Sequence, residues 1–208
     1  MHLADGVLSA PALVASAALA IGGVALGLRR LHEAQLPLAA LLGAVFFVAS
    51  TIHLPVGVGS VHLILNGLAG LLLGWAVFPV LLVALLLQAA LFSFGGFAVL
   101  GANLLIMAVP AVIAHYLLRG WVAPPDGSVP ARGAALFAGV AGGVVGIGGA
   151  ALLAGALLAL AGGRMFAELI ALLALAHVPV MIADAAIGGF TVLALVRMMP
   201  RALTPVRA

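Results

Sequence analysis

The chain has no cysteine and no lysine, and only 6% of its 208 residues are charged. Without cysteine there is neither a disulfide framework nor a thiolate metal site. Without lysine there is no GxxxxGK[ST] loop, so any ATP-driven step must be carried out by another chain. No histidine opens an HExxH motif, which removes the usual arrangement of an intramembrane metalloprotease. The arginines stand at the ends of apolar runs, not on a face interleaved with aromatic residues. The formal charge of +3 is therefore not a nucleic-acid footprint. A proton-coupled secondary metal carrier is the alternative class, but such carriers use membrane acids and often internal repeats. Here Asp184 is the one acid deep in an apolar run, and no repeat is evident. No basic region precedes the first apolar run, so no signal peptide is expected, and a second residue as large as His2 predicts that Met1 is retained.

What is present is overwhelmingly apolar: 66% hydrophobic residues and a mean hydropathy of +1.41. Ordinary soluble domains carry roughly 25% charged residues. The composition predicts an all-α polytopic membrane helix bundle, a single integral membrane domain over residues 1–208. Runs long enough to cross a bilayer fall at about 9–28, 36–53, 61–77, 79–94, 97–118, 133–161 and 166–196. That makes about seven transmembrane helices, the last expected to break near His177-Val178-Pro179. With the N-terminus outside, Arg29, Arg30, Arg119, Arg132, Arg197, Arg201 and Arg207 fall in the cytoplasm and Arg164 alone falls outside. The positive-inside rule therefore predicts an external N-terminus and a cytoplasmic C-terminus. His2, His53 and His62 then share the outer face. His32 lies with Glu33 in a cytoplasmic loop, His115 near the inner end of the fifth run and His177 inside the seventh.

The opening residues, Met1-His2-Leu3-Ala4-Asp5-Gly6-Val7-Leu8-Ser9, offer three nitrogens to one metal ion. They are the Met1 amine, the His2 backbone nitrogen and the His2 imidazole. Amine to amide closes a five-membered chelate ring, and amide to the near imidazole nitrogen closes a six-membered one. Three coplanar nitrogens suit ions such as Ni(II) or Cu(II). Other polar residues in so apolar a chain need partners, because burying them unpaired is costly. Ser60 and His62 follow Gly57 and Gly59 at the outer start of the third run, and Asn66 is expected one helical turn beyond His62. Gln88 and Asn103 can supply buried amides, as glue between helices or as support for ligands. Asp184 is expected to partner a neighbouring polar group, and His53 is a further candidate on the outer face.

The opening nine residues resemble the MHIPDGxLSP start of the CbiM/NikM family, the substrate-binding membrane components of energy-coupling factor transporters for cobalt and nickel. Pro55-Val56-Gly57-Val58-Gly59-Ser60-Val61-His62-Leu63 is similar to that family's PVPGGTSxHL segment. Gln88-Ala89-Ala90-Leu91-Phe92, Gly95-Gly96 and Leu100-Gly101-Ala102-Asn103 resemble its QALLFxxGGxxxLGAN segment, and His177-Val178-Pro179 with Asp184 resembles its seventh-helix pattern. Ala4 stands where the family has proline, Val58-Gly59 where it has Gly-Thr, and His53 is additional to the pattern. The resemblance implies transport of Ni(2+) or Co(2+) as substrate, with no catalytic cofactor. It implies metal ligation by Met1, His2 and His62, with the N-terminal segment 1–9 inserted into the bundle from the outer face. Asp5, Ser60, Asn66, Gln88 and Asn103 are then candidates for supporting the ligands, with Asp5 expected to fix a turn. The implied partners are a CbiQ/NikQ-type transmembrane coupling subunit, CbiO/NikO-type ATPase subunits and a small CbiN/NikN-type membrane subunit.

Overall fold

In a computed structural model the described residues of the chain form a bundle of seven α-helices. The structure describes residues 3–56, 59–124, 126, 128–162 and 166–199, with backbone alone for 53–56, 59–61 and 162. Met1, His2, Arg164, Arg201 and Arg207, and the side chains of His53 and Ser60, lie outside the described residues.

Helix α1, Ala10–Arg30, starts where Ser9 is extended and Pro11 fills the first turn, a position that needs no N–H donor. Arg29 and Arg30 close it at the negative end of the helix dipole. Helix α2, Leu36–Thr51, runs back and leads into a hairpin of β1, His53–Val56, and β2, Gly59–His62. The register pairs His53 with His62 and Pro55 with Ser60. Helix α3, Asn66–Leu73, is followed by a 3-10 turn at Gly74–Ala76 and by α4, Val77–Phe92. Helices α5, Leu100–Val122, α6, Arg132–Gly162, and α7, Ala167–Met198, complete the bundle.

Among the described residues six helical stretches are long and apolar enough to cross a membrane, and one of them is 66–92. That stretch supplies two passes. Along α3, Asn66 reaches Met107, Gly70 abuts Ala111 and Gly74 abuts His115, so α3 runs parallel to α5. Along α4, Val80 lies against Gly43 and Gln88 against Ser50, so α4 runs parallel to α2. The chain therefore reverses at Gly74–Ala76, giving seven passes among the described residues. The third is a half-helix of 8 residues, about 12 Å of a hydrocarbon layer of roughly 30 Å.

Two local expectations are corrected. The third run is not helical from residue 61: β2 ends at His62, residues 63–65 have no regular structure, and the helix starts at Asn66. Asn66 is therefore not a helical turn above His62. The seventh helix does not break at His177-Val178-Pro179, and Pro179 sits inside a continuous 32-residue helix. Proline is accommodated in membrane helices where neighbouring groups take up the freed carbonyl.

Small residues set the spacing of the passes. A Cβ on Gly139 or Gly188 would strike the backbone of the other's helix, one on Gly143 that of Ala185, and one on Gly67 that of Gly142. Helices α6 and α7 and the half-helix α3 thus touch backbone to backbone, as in small-xxx-small contacts between membrane helices. The centre is closed by Phe46, Ile64, Leu81, Met107 and Ile147, all at most 1% exposed. The outside is apolar too: Leu152, Leu160 and Phe190 are at least 70% exposed, as lipid-facing side chains are.

Arg29, Arg30, Arg119, Arg132 and Arg197 all lie at one end of the bundle. The hairpin, residues 3–8 and the 93–99 loop lie at the other. By the positive-inside rule the arginine end faces the cytoplasm. Single cysteines replacing Ser60 and Ser128 in this cysteine-free chain are therefore expected to react with a membrane-impermeant maleimide from opposite sides, Ser60→Cys from outside. Labelling of both from one side would contradict the orientation.

Candidate metal centre

The N-terminal segment is bolted into the bundle by one side chain. Leu3 N–H donates to Asn103 Oδ1 at 2.8 Å, and Asn103 Nδ2 donates to the Leu3 carbonyl at 3.1 Å. Both polar atoms of one amide thus pair with both backbone groups of one residue 100 positions away. Asn103 sits in the first turn of α5, 2% exposed, and Leu3 is 6% exposed. A fixed, buried Leu3 ties down the chain within one residue of His2.

Beyond Leu3 the chain turns away. Val7 N–H bonds the Ala4 carbonyl at 3.4 Å, with Gly6 at φ +88°, a value suited to glycine at the third position of such a turn. Asp5 does not cap this turn. Its Oδ1 accepts from Val99 N–H at 3.2 Å, so a carboxylate rests at the positive N-terminal end of α5. Gly96, at φ +129°, faces the same carboxylate closely enough that any Cβ would collide with it. Residues 3–7 and the 94–103 corner are therefore shaped to each other.

His62 ends β2 and is 3% exposed. Its Nδ1 lies 2.9 Å from the Leu63 carbonyl, which can only accept. Nδ1 therefore carries the proton, and Nε2 carries the lone pair. Metal-ligating histidines are commonly oriented this way, with one nitrogen donating to a carbonyl and the other presented to the ion. His53 is the cross-strand partner of His62 in backbone register.

The remaining expected residues take structural positions. Asn66 Nδ2 donates to the Met107 carbonyl at 2.9 Å and the Gly146 carbonyl at 3.2 Å, joining α3 to α5 and α6. Gln88 Nε2 donates to Ser50 Oγ at 2.6 Å, and Ser50 donates on to the Phe47 carbonyl at 2.7 Å. Ser50, fully buried, escaped the sequence reading; a hydroxyl at the end of an apolar run gave no warning of it. His32 stands in the loop at the arginine end, its N–H on Gln35 Oε1. His115 and His177 each turn Nδ1 onto a carbonyl, of Leu71 and Leu173. Asp184 accepts from Leu65 N–H at 2.7 Å and Ile64 N–H at 3.4 Å.

Among the described residues, no three His, Cys, Asp or Glu side chains come together as a metal-binding group. At the outer end His62 turns Nδ1 onto the Leu63 carbonyl, and the N-terminal segment is clamped by Asn103.

A family description, the cobalt uptake substrate-specific transmembrane region CbiM, matches residues 2–202. The chain is 55% identical over 203 residues to a Haemophilus influenzae protein named for metal transport, covering 98% of this chain and 97% of that one. It is 38% identical over 162 residues to the fused nickel transport protein NikMN of Rhodobacter capsulatus, covering 74% of this chain and 46% of the relative. A fused CbiMQ cobalt transport protein of Methanocorpusculum labreanum is 34% identical over 125 residues, covering 57% of this chain and 21% of the relative. The chain thus spans nearly all of the first relative and less than half of each fused one. A solved transition metal transporter superposes with a TM-score of 0.74 at 26% identity, over 95% of this chain and 99% of that one.

Proposed function

Because the chain belongs to the CbiM family of substrate-specific transmembrane regions for cobalt uptake, we propose that it is the substrate-binding subunit of an ATP-driven energy-coupling factor importer, capturing Ni(2+) or Co(2+) from outside. It is a multi-pass membrane component of cobalt or nickel transport, and not an enzyme. The ion is bound by the Met1 amine, the His2 amide and imidazole, and His62 Nε2. The whole chain, 1–208, is one membrane domain, with segment 1–9 entering the bundle from the outer face.

The observation that carries this reading is the double hydrogen bond between Asn103 and Leu3. Leu3 held this way anchors the residue that follows the proposed chelate, and ordering before binding lowers the entropy lost on capture. His62 Nε2 supplies a fourth nitrogen. Deprotonating the His2 amide favours Ni(2+) over Co(2+), so nickel is the preferred cargo.

The fused relatives join CbiM- or NikM-type sequence to segments named N and Q. They support a small CbiN/NikN-type subunit and a CbiQ/NikQ-type coupling subunit as partners. ATP hydrolysis falls to CbiO/NikO-type subunits, since this chain has no lysine for a phosphate loop. At the arginine end a cavity of about 710 Å³ is lined by Arg30, Trp75, His115, Tyr116 and Arg119 among largely apolar residues, where such partners could dock. Nickel uptake by the complex reconstituted with these partners should require ATP hydrolysis and survive a protonophore. Uptake that collapses with the protonophore and ignores ATP would instead identify a proton-coupled secondary carrier.

A further inference from the structure

Between β2 and α3 the chain makes one abrupt corner. Leu65, the N-cap residue of α3, adopts a left-handed conformation at φ 56°, ψ 20°, which is strained for a residue with a Cβ. The corner is nevertheless fully buried: Ile64, Leu65 and Asn66 are 0%, 7% and 0% exposed. Asn66 ties its far side to α5 and α6 through the Met107 and Gly146 carbonyls. Its near side, two and three residues from His62, is tied to α7 through the Ile64 and Leu65 amides. There Asp184, 1% exposed, gives one carboxylate oxygen to Ile64 N–H and the other to Leu65 N–H.

We propose that Asp184 is the positioning residue for His62: its carboxylate, through the Ile64 and Leu65 amides, fixes the strap that presents the imidazole and so sets the affinity of the metal site from the seventh pass. Three points support it. The carboxylate meets the N-terminal end of the half-helix α3, where backbone N–H groups lack helical partners and a negative charge is favoured. The two amides follow directly on the Leu63 carbonyl that orients the His62 ring, so any shift of the strap shifts that acceptor too. And α7 approaches α6 backbone to backbone at this level, Gly143 against Asp184 and Ala185, so the carboxylate has a rigid base. The role rests on His62 being a ligand. It gives the buried acid a task in binding the cation without contact to it.

The test compares the parent chain, Asp184→Leu, Asp184→Asn and His62→Ala, each with an untagged N-terminus, in Ni(II) titration and in backbone hydrogen exchange of the metal-free protein. Asp184→Leu should weaken Ni(II) by roughly 10- to 100-fold, the usual cost of losing a group that orients a ligand. Asp184→Asn, which keeps one acceptor oxygen, should lose less. Exchange should rise in the 62–66 segment of Asp184→Leu while α5 and α6 stay as protected as in the parent. Parent-like affinity in Asp184→Leu overturns the proposal. So does an affinity loss accompanied by faster exchange throughout the bundle, since that is general destabilisation. If Asp184→Leu does not fold, Asp184→Asn decides alone: weaker binding with local exchange supports the role, and parent values in both overturn it. Parent-like binding by His62→Ala would remove the ligand assignment itself, an outcome separate from any result at Asp184.

Discussion

One leucine, large enough that Met1 stays in place, inserted between Met1 and His2 is expected to abolish high-affinity nickel or cobalt binding. The insertion keeps both side chains, but it breaks the run of consecutive atoms from the amine to the imidazole and moves the amine one peptide unit away. Because Asn103 pins Leu3, the extra residue cannot be absorbed by sliding the segment. The loss should exceed the roughly 10- to 100-fold that removal of an outer-shell partner costs. His2→Ala and His62→Ala should behave alike. His32→Ala should bind as the parent does, because His32 lies at the arginine end, across the bundle from His62. Equilibrium dialysis against Ni(II) with the folded variants checks all four. Tight binding by the insertion variant would show that the amine is not a ligand.

Asn103→Leu should produce the next largest effect. It removes both hydrogen bonds of Leu3 and leaves a buried N–H and carbonyl without partners, at about 1–3 kcal/mol each. If about 2–4 kcal/mol of this falls on docking of the N-terminal segment, metal affinity drops roughly 30- to 1,000-fold. Asn103→Asp keeps the acceptor for Leu3 N–H and loses the donor, so its affinity should lie between. The same titration reads both variants, and α5 itself should persist because neither change breaks its helix. Equal, parent-like affinities would mean that the clamp does not matter to the site.

Much of this was legible in the sequence, for reasons that differ by residue. The long passes were, because apolar runs bounded by Arg29-Arg30, Arg119 and Arg132 have few other uses. That Asn103 and Asp184 must have partners was also legible, since buried polar groups seldom go unpaired. The partners themselves were not: Leu3 is 100 residues from Asn103, and Leu65 is 119 from Asp184. The hairpin was hidden because 53–60 reads as a loop between two apolar runs and residue 61 as the start of the next helix. The left-handed Leu65 carries no sequence signal at all, as glycine or asparagine would have. Pro179 misled in the other direction, because a proline that breaks soluble helices is absorbed in a packed membrane helix.

The proposed amide-containing chelate and His62 would together hold one ion per chain. The decisive measurement is the metal content of the protein purified with an untouched N-terminus, by mass spectrometry of the elements against protein concentration. About one equivalent of nickel or cobalt, lost on His62→Ala, is the expected result. Stoichiometric zinc with neither nickel nor cobalt would contradict the assignment of both cargo and site.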